Sequence, residues 1–433
     1  VAQPRFWIFF LTALCLQAAE TPSEILNRQL PSWVKFGFDH RFRFEGYSAL
    51  RYHKDNNDRW LLNRFRIDTE IEARPWLKFF TQMQDARVFF KLNPSGQEPL
   101  INRTDLRLAH ADWQLPVKVN LLLRAGRQEF GYGENRLLGP ANWGSVARSF
   151  DAIKLTYKRD NFWLDLAASS VVRPQLRGLS RSLPGNNLHF AYAHYESKPA
   201  RFTVEPYYFW RIGRGDGNAL RGIVRQDRRI PGFRFYGKLP ASFDYATEWV
   251  LQRGNVSFNS VAEPIYAYAQ HTAIGKTFPH KPWKPRIWTE YNSSTGDKDP
   301  QDGRSGTFDQ IFPTPHEKYG LADQVGWQNI RHGAGGIEFT PSSRARLKLS
   351  YHNWHLDQAR DGLYLAVGPL VYKDPTGQSG RHVGQEFDIF TQFTRGPHYI
   401  GIGYARLFPG EFLRNVSPGA SLNYIFMNVG YRF

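Results

Sequence analysis

From Val34 to Glu45 two series of residues interleave. Val34, Phe36, Phe38, His40, Phe42 and Phe44 take the even positions, and Lys35, Gly37, Asp39, Arg41, Arg43 and Glu45 the odd ones. The pattern returns in Leu61–Glu72, where Leu61, Phe65, Ile67 and Ile71 alternate with Arg64, Arg66, Asp68, Glu70 and Glu72. Successive side chains on a strand point to opposite faces, so each segment predicts a strand with one greasy and one charged side. A soluble sandwich with one solvated sheet would give the same signal. The rest of the chain decides.

Candidate strands recur from Val34 to Phe433, and their connections alternate between short and long. Turn chemistry marks the short ones: Ala73-Arg74-Pro75, Leu115-Pro116, Lys158–Asn161, Lys198-Pro199, Leu239-Pro240, Pro279–Lys284, Pro341-Ser342-Ser343 and Gly396-Pro397. Between them lie polar segments: Ser48–Arg59, Lys91–Thr104, Glu129–Ser149, Val171–Asn186, Arg211–Arg229, Arg253–Val261, Ser293–Gln328, Asp357–Arg381 and Phe408–Ser421. A sandwich or propeller has no reason to collect its long loops at one end. A closed antiparallel outer-membrane barrel does, with about eighteen strands of roughly 9–11 residues each. Closure is required because no open edge can face hydrocarbon. No helical stripe of any length stands out. The last strand predicts one apolar face from Ile425, Met427, Val429, Tyr431 and Phe433.

Composition agrees. No run of 18 or more apolar residues follows the first 20 positions, which excludes a membrane-spanning helix there. Aromatic residues make up 15% of the 433-residue chain, as suits interfacial girdles. The mean hydropathy of −0.51 is no obstacle, since a strand offers lipid only every second residue. Residues 1–19 read as an export signal, with Arg5 before the apolar stretch Phe6–Leu16 and Ala18 or Ala19 for cleavage. The lone Cys15 lies within it, so neither a disulfide frame nor a thiol site is available downstream. Residues 20–33 are expected in the periplasm, and 34–433 form the barrel.

A barrel of this size leaves an aqueous lumen unless loops plug it. The inward series is rich in arginine: Arg41, Arg43, Arg64 and Arg66, then Arg87 after Asp85, with Arg344, Arg346 and Lys348 on one face of a later strand. Guanidinium forks suit carboxylates, and a positive channel concentrates anions. With a formal net charge of +17, this predicts a passive anion-selective channel. The densest stretch, Arg124–Asp151, runs from a strand into a glycine-rich loop with Arg127, Glu129, Arg136 and Arg148, able to fold inward and narrow the pore.

That stretch, GRQEFGYGENRLLGPANWGSVARSFD, resembles the signature of the alginate export family of outer-membrane proteins. LLNRFRIDTEIEARPWLKFFTQMQDAR resembles the family's early hairpin, and TGDKDPQDGRSGTFDQIFPTPHEKYGLADQVGWQNI a long late loop. VGQEFDIFTQF and GYARLFPGEFL resemble its closing strands. The similarity runs from about Phe36 to Phe433. It implies an eighteen-stranded barrel whose electropositive lumen passes an anionic polyuronate from periplasm to exterior. By motif match, Arg64, Arg66, Arg87, Arg127, Arg136 and Arg148 take the path role, with Asp85, Glu129 and Asp151 as orienting acids.

Other chemistry is thinner. Asp297, Asp299 and Asp302 in DKDPQDG miss the EF-hand spacing, and a solvated external loop is the expectation. His352 and His355 fall on opposite faces of their strand, and neither a nucleophile elbow nor H-E-x-x-H occurs. No catalytic residue, cofactor or metal is therefore expected. The expected partners are outer-membrane lipid and lipopolysaccharide, an anionic polysaccharide or carboxylate solute, the assembly machinery reading Phe433, and periplasmic export proteins, with no nucleic acid. Two rivals stay open: an uptake porin for small carboxylates or oligouronates, and a plugged surface protein or outer-membrane enzyme.

Overall fold

The computed structural model describes residues 21–93, 100–214, 223–258 and 261–433; the expected signal segment lies outside them. A short helix α1 (Pro22–Gln29) comes first, opened by a capping box between Thr21 and Glu24. The strands are β1 (Val34–Ser48), β2 (Asp58–Arg74), β3 (Leu77–Phe89), β4 (Asn102–Gln114), β5 (Asn120–Gln128), β6 (Phe150–Arg159), β7 (Phe162–Arg173), β8 (Arg181–Ser197), β9 (Phe202–Arg214) and β10 (Ile223–Leu239). They continue as β11 (Phe243–Phe258), β12 (Val261–Thr277), β13 (Arg286–Ser294), β14 (Ile330–Ser342), β15 (Ala345–Leu356), β16 (Gly362–Tyr364), β17 (Leu370–Lys373), β18 (His382–Arg395), β19 (His398–Pro409) and β20 (Leu422–Arg432). A second short helix, α2 (Glu411–Val416), precedes β20.

Eighteen of these strands form one antiparallel sheet, each paired with its neighbour in sequence. β16 and β17 make a separate hairpin within the connection between β15 and β18. The sheet closes where β1 meets β20, in register from Asp39–Arg432 to Ser48–Asn423. The backbone of Phe38 and that of Phe433 exchange two hydrogen bonds beside this seam, at 2.7 and 3.0 Å.

Side-chain alternation follows the predicted parity. On β1, Asp39, Arg41, Arg43 and Glu45 are buried inside while Phe42 and Phe44 are exposed. On β2, Arg64 and Arg66 are buried and Phe65 is exposed. Ile425 of the last strand faces out, whereas Tyr424 and Phe426 are buried within. The exposed aromatic and aliphatic side chains are what a lipid-facing band requires.

Two expectations need correction. Several strands are longer than a bilayer crossing demands: β2, β8, β10 and β12 each have 17 residues. At about 3.3 Å per residue these pairs continue beyond the hydrocarbon, because a hydrogen-bonded hairpin remains satisfied in water. Much of Val171–Asn186, Arg211–Arg229 and Arg253–Val261 is accordingly strand rather than loop. The other correction concerns the lumen: the glycine-rich connection enters it as its sequence allows, and the late connection, expected outside, enters it too.

Candidate translocation path

The connections 129–149 and 295–329 both start at the long-loop end and fold back inside the barrel. They meet in a short parallel bridge between Leu138 and Phe312. Gly139 N–H donates to the Phe312 carbonyl at 2.8 Å, Phe312 N–H to that of Leu137 at 2.9 Å, and Thr314 N–H to that of Asn135 at 2.8 Å. The approach is close enough to need glycine: a Cβ on Gly139 would lie 2.3 Å from Thr314 Oγ1. Further along, the rings of Trp143 and His316 stack at 3.6 Å. Phe308, Phe312, Tyr319 and Trp327 are buried at this crossing, so the second connection carries its own apolar core into the lumen.

Arginines of the barrel wall clasp the tip of the first connection. Arg41 donates to the carbonyls of Asn142 and Trp143, both at 3.0 Å, and Arg64 to that of Asn142 at 3.1 Å. Arg66 reaches Asn142 Oδ1 at 3.0 Å and Gln84 at 2.8 Å. Arg43 donates to the Trp143 carbonyl and lies over its ring, 4.0 Å from the centroid. Arg107 binds Glu129 and Gln82. Alternation placed these cations inside; the peptide carbonyls of a loop are what they hold. A buried hydrogen bond from a charged donor contributes roughly 1.5–3 kcal/mol, so several together can pin a loop without regular structure.

A second cluster anchors the base of the same connection. Glu134 pairs with Arg234 at 3.0 Å and with Arg136 at 3.1 Å, and Arg136 also approaches Glu290 at 3.6 Å. Burial alone would raise the Glu134 carboxyl, but Arg136, His271, Lys318 and Arg234 outweigh it and hold it well below the usual range. Arg148 is tied by Nη1 to the carbonyls of Gly139, Phe312 and Pro313 at 2.8, 2.6 and 3.1 Å. Burial, then Arg211, lowers its guanidinium to about 10, still cationic at neutral pH. Burial, then Arg136, also lowers the Lys318 ammonium.

From Arg136 a chain of hydrogen bonds crosses the inner wall. His271 lies 3.3 Å from Arg136 and 2.7 Å from Asn292; Asn292 meets His332 at 2.9 Å, and His332 meets His352 at 3.0 Å. His352 contacts Asp388 at 3.1 Å. Asp388 accepts from Leu321 N–H and Glu386 from Ala322 N–H, at 3.2 and 3.1 Å. The relay therefore joins the base of one inward connection to the backbone of the other.

Two cavities flank the crossing. One of about 490 Å³ opens toward the short-turn end, with Arg66, Arg107, Arg124, Lys78 and Arg432 facing Asp68, Glu70 and Asp112. The other, about 310 Å³, lies toward the long-loop end beside Arg148, Arg211 and Phe312.

Not every nominated residue lies on this path. Asp85 and Arg87 sit on the outward face of β3, in line with the exposed Met83 and Phe89, and pair with each other at 2.7 Å. Arg127 and Asp151 also face outward. They share parity with the exposed Ile153, and Arg127 binds Asp151 at 2.8 Å and the Ser180 carbonyl at 2.9 Å. Register decides both cases, since Arg64 pairs with Ala86 rather than Arg87. Arg344 is exposed in the turn before β15. Arg346 is half-exposed on Glu338 at 3.1 Å, and Lys348 approaches Glu317 of the inward connection at 3.8 Å. Sequence reasoning missed Arg107, Glu134, Arg234, Glu290, Lys318 and the histidine relay. It also took the whole of 295–329 for an external loop, which holds for the exposed Lys298–Arg304 but not for the largely buried stretch after it. Among the described residues no group of His, Cys, Asp or Glu could hold a metal ion.

A closed strand barrel with a greasy exterior and a charged interior crossed by its own loops is an outer-membrane channel. The chain belongs to a particular family of these: residues 32–428 match the alginate export family. No curated protein matches it. Among solved structures, OccAB2 of Acinetobacter baumannii aligns with a TM-score of 0.62 at 12% identity, covering 93% of this chain and 99% of that one. OccK11 (OpdR) of Pseudomonas aeruginosa gives 0.58 at 11%, covering 92% and 96%. OprD of the same organism gives 0.57 at 10%, covering 92% and 93%. At such identities the likeness is one of fold.

Proposed function

We propose that the protein is a passive, anion-selective channel for an acidic polysaccharide such as alginate, with the crossed connections as its constriction. The observation that carries this reading is how the lumenal cations are held. Arg41, Arg66 and Arg148 are fixed by peptide carbonyls and side-chain amides, which orient a guanidinium without cancelling its charge. Fixed positive charge between low-dielectric walls draws in carboxylates, while the solvated cations a polymer would touch, such as Arg124 and Arg432 in the short-turn cavity, each hold it weakly, by about 0–1 kcal/mol. Many weak sites let a polymer slide. Family membership supports the substrate class. The test is efflux from proteoliposomes: labelled polyuronate should leave and a neutral dextran of equal size should stay. Retention of both, with small carboxylates released, would overturn the polymer.

A second reading is favoured by the 490 Å³ cavity at the short-turn end, which falls in the range of small-molecule sites and presents both charge signs. In it the channel takes up small carboxylates or oligouronates. Saturable transport of a mono- or disaccharide uronate, with polymer excluded, would establish this instead.

A further inference from the structure

The outer wall carries a groove that the channel does not use. It lies at the long-loop ends of β13, β14 and β15, on their outward face, and measures about 420 Å³. Tyr291, Arg331, Asn353, His355 and Arg381 border it. Its floor is open at Gly333, where an added Cβ would meet no atom within 4 Å. Arg331, with a side chain 56% exposed, donates from Nε to Asp357 at 2.9 Å and lines the opening. Arg381 lines the opening beside it. His355 stacks on His382 at 4.8 Å, and His382 is steadied by Asn353 at 3.0 Å. Asp357 and Glu411 are thus two carboxylates beside Arg331, Arg381, Arg414 and two histidines, so the rim stays net positive.

Below this rim the same face turns apolar. Tyr351 and Phe387 pack at 4.8 Å, with Leu349, Ile389 and Ile287 exposed beside them. Tyr266 and Tyr268 continue the rim along β12, Tyr266 with Arg253 and Arg304 over its ring at 5.4 and 5.6 Å. Cations and tyrosines above exposed hydrocarbon are the profile of a lipid headgroup level.

We propose that this groove seats the phosphorylated sugar headgroup of an outer-leaflet glycolipid, with acyl chains along the Leu349–Ile389 surface. The positive rim selects the phosphate, since arginine forks match its oxygens. The empty space at Gly333 admits the sugar. A groove opening sideways into the membrane is reached from the bilayer, which makes lipid the occupant. The site stands independently of what crosses the lumen.

The test uses the whole purified barrel in detergent, titrated with diphosphorylated lipid A and followed by native mass spectrometry. Wild type should retain one lipid per barrel through collisional activation, and the dephosphorylated lipid should be lost. Arg331→Ala with Arg381→Ala should weaken retention about tenfold or more. Gly333→Leu, which fills the floor without changing charge, should do the same; Arg87→Ala, on the outward face of β3 and away from this groove, should not. Heat-modifiable gel mobility verifies folding of each variant. Equal loss in Arg87→Ala would reduce the effect to diffuse surface charge. Equal retention of the dephosphorylated lipid, unchanged binding in Gly333→Leu, or barrel dimers in place of lipid adducts would each overturn the site.

Discussion

The ring of Trp143 lies flat on that of His316, centroids 3.6 Å apart and planes 4° from parallel. One belongs to the first inward connection and the other to the second, so this stack is a side-chain joint between the two halves of the constriction. Aromatic pairs add about 0.5–1.5 kcal/mol beyond burial. Trp143→Ala should therefore loosen the crossing and raise single-channel conductance, with more frequent large-amplitude openings. The double variant with His316→Ala should add little, because both members serve one contact. Additive effects would show that the rings act separately.

Outward and inward arginines should behave differently in one assay. Arg66→Ala removes a lumenal charge that also holds Asn142, and should move the reversal potential toward zero in a salt gradient. Arg87→Ala and Arg127→Ala, each paired with an acid on the outer face, should leave it where it was. A shift with Arg127→Ala as large as with Arg66→Ala would contradict the assigned faces.

The histidine relay predicts a coupling across the wall. His332 is buried between Asn292 and His352. His332→Phe keeps the volume but strands two buried partners, at about 1–3 kcal/mol for each unsatisfied group. The unfolding temperature should fall, and limited proteolysis should speed up within 129–149, which Arg136 ties to the far end of the relay and which is distant along the chain from the substitution. Unchanged cleavage there would mean the relay does not hold that connection.

Asp297 supplies a pH signature. Burial, then the neighbouring Asp361 carboxylate, pushes its carboxyl up to about 6. The folded value lies above the ordinary 3.8, so the neutral form is the one that folding favours. Its contribution is present in full below about pH 4 and declines as pH rises through 6. The melting temperature of wild type minus that of Asp297→Asn should accordingly fall between pH 4 and 7. A flat difference would place Asp297 in solvent.

Much of the barrel was legible in the chain because lipid and water impose period-two alternation. Phe42 against Arg43, or Phe65 against Arg64, states the face of each residue directly. The glycine-rich segment misleads at Arg127, which its motif places in the lumen; two residues on from the outward Ala125, it faces outward too. Arg107 escaped notice because the β3–β4 register shifts between Gln82 and Met83, so simple parity fails there. The inward path of 295–329 follows no periodicity, since its partners are carbonyls and side chains distant in sequence. One signal was present: Phe308, Phe312, Tyr319 and Trp327 are costly in a solvated loop, and a polar connection carrying four such residues needs somewhere to bury them.

The central claim is that fixed, carbonyl-held arginines make the constriction selective for anionic glycan. Reversal potential of the reconstituted channel in a planar bilayer under a salt gradient, before and after polyuronate is added on one side, tests it most directly. The account predicts anion selectivity and a polymer block that weakens in Arg66→Ala. Cation selectivity, or an open current indifferent to polyuronate, would contradict it.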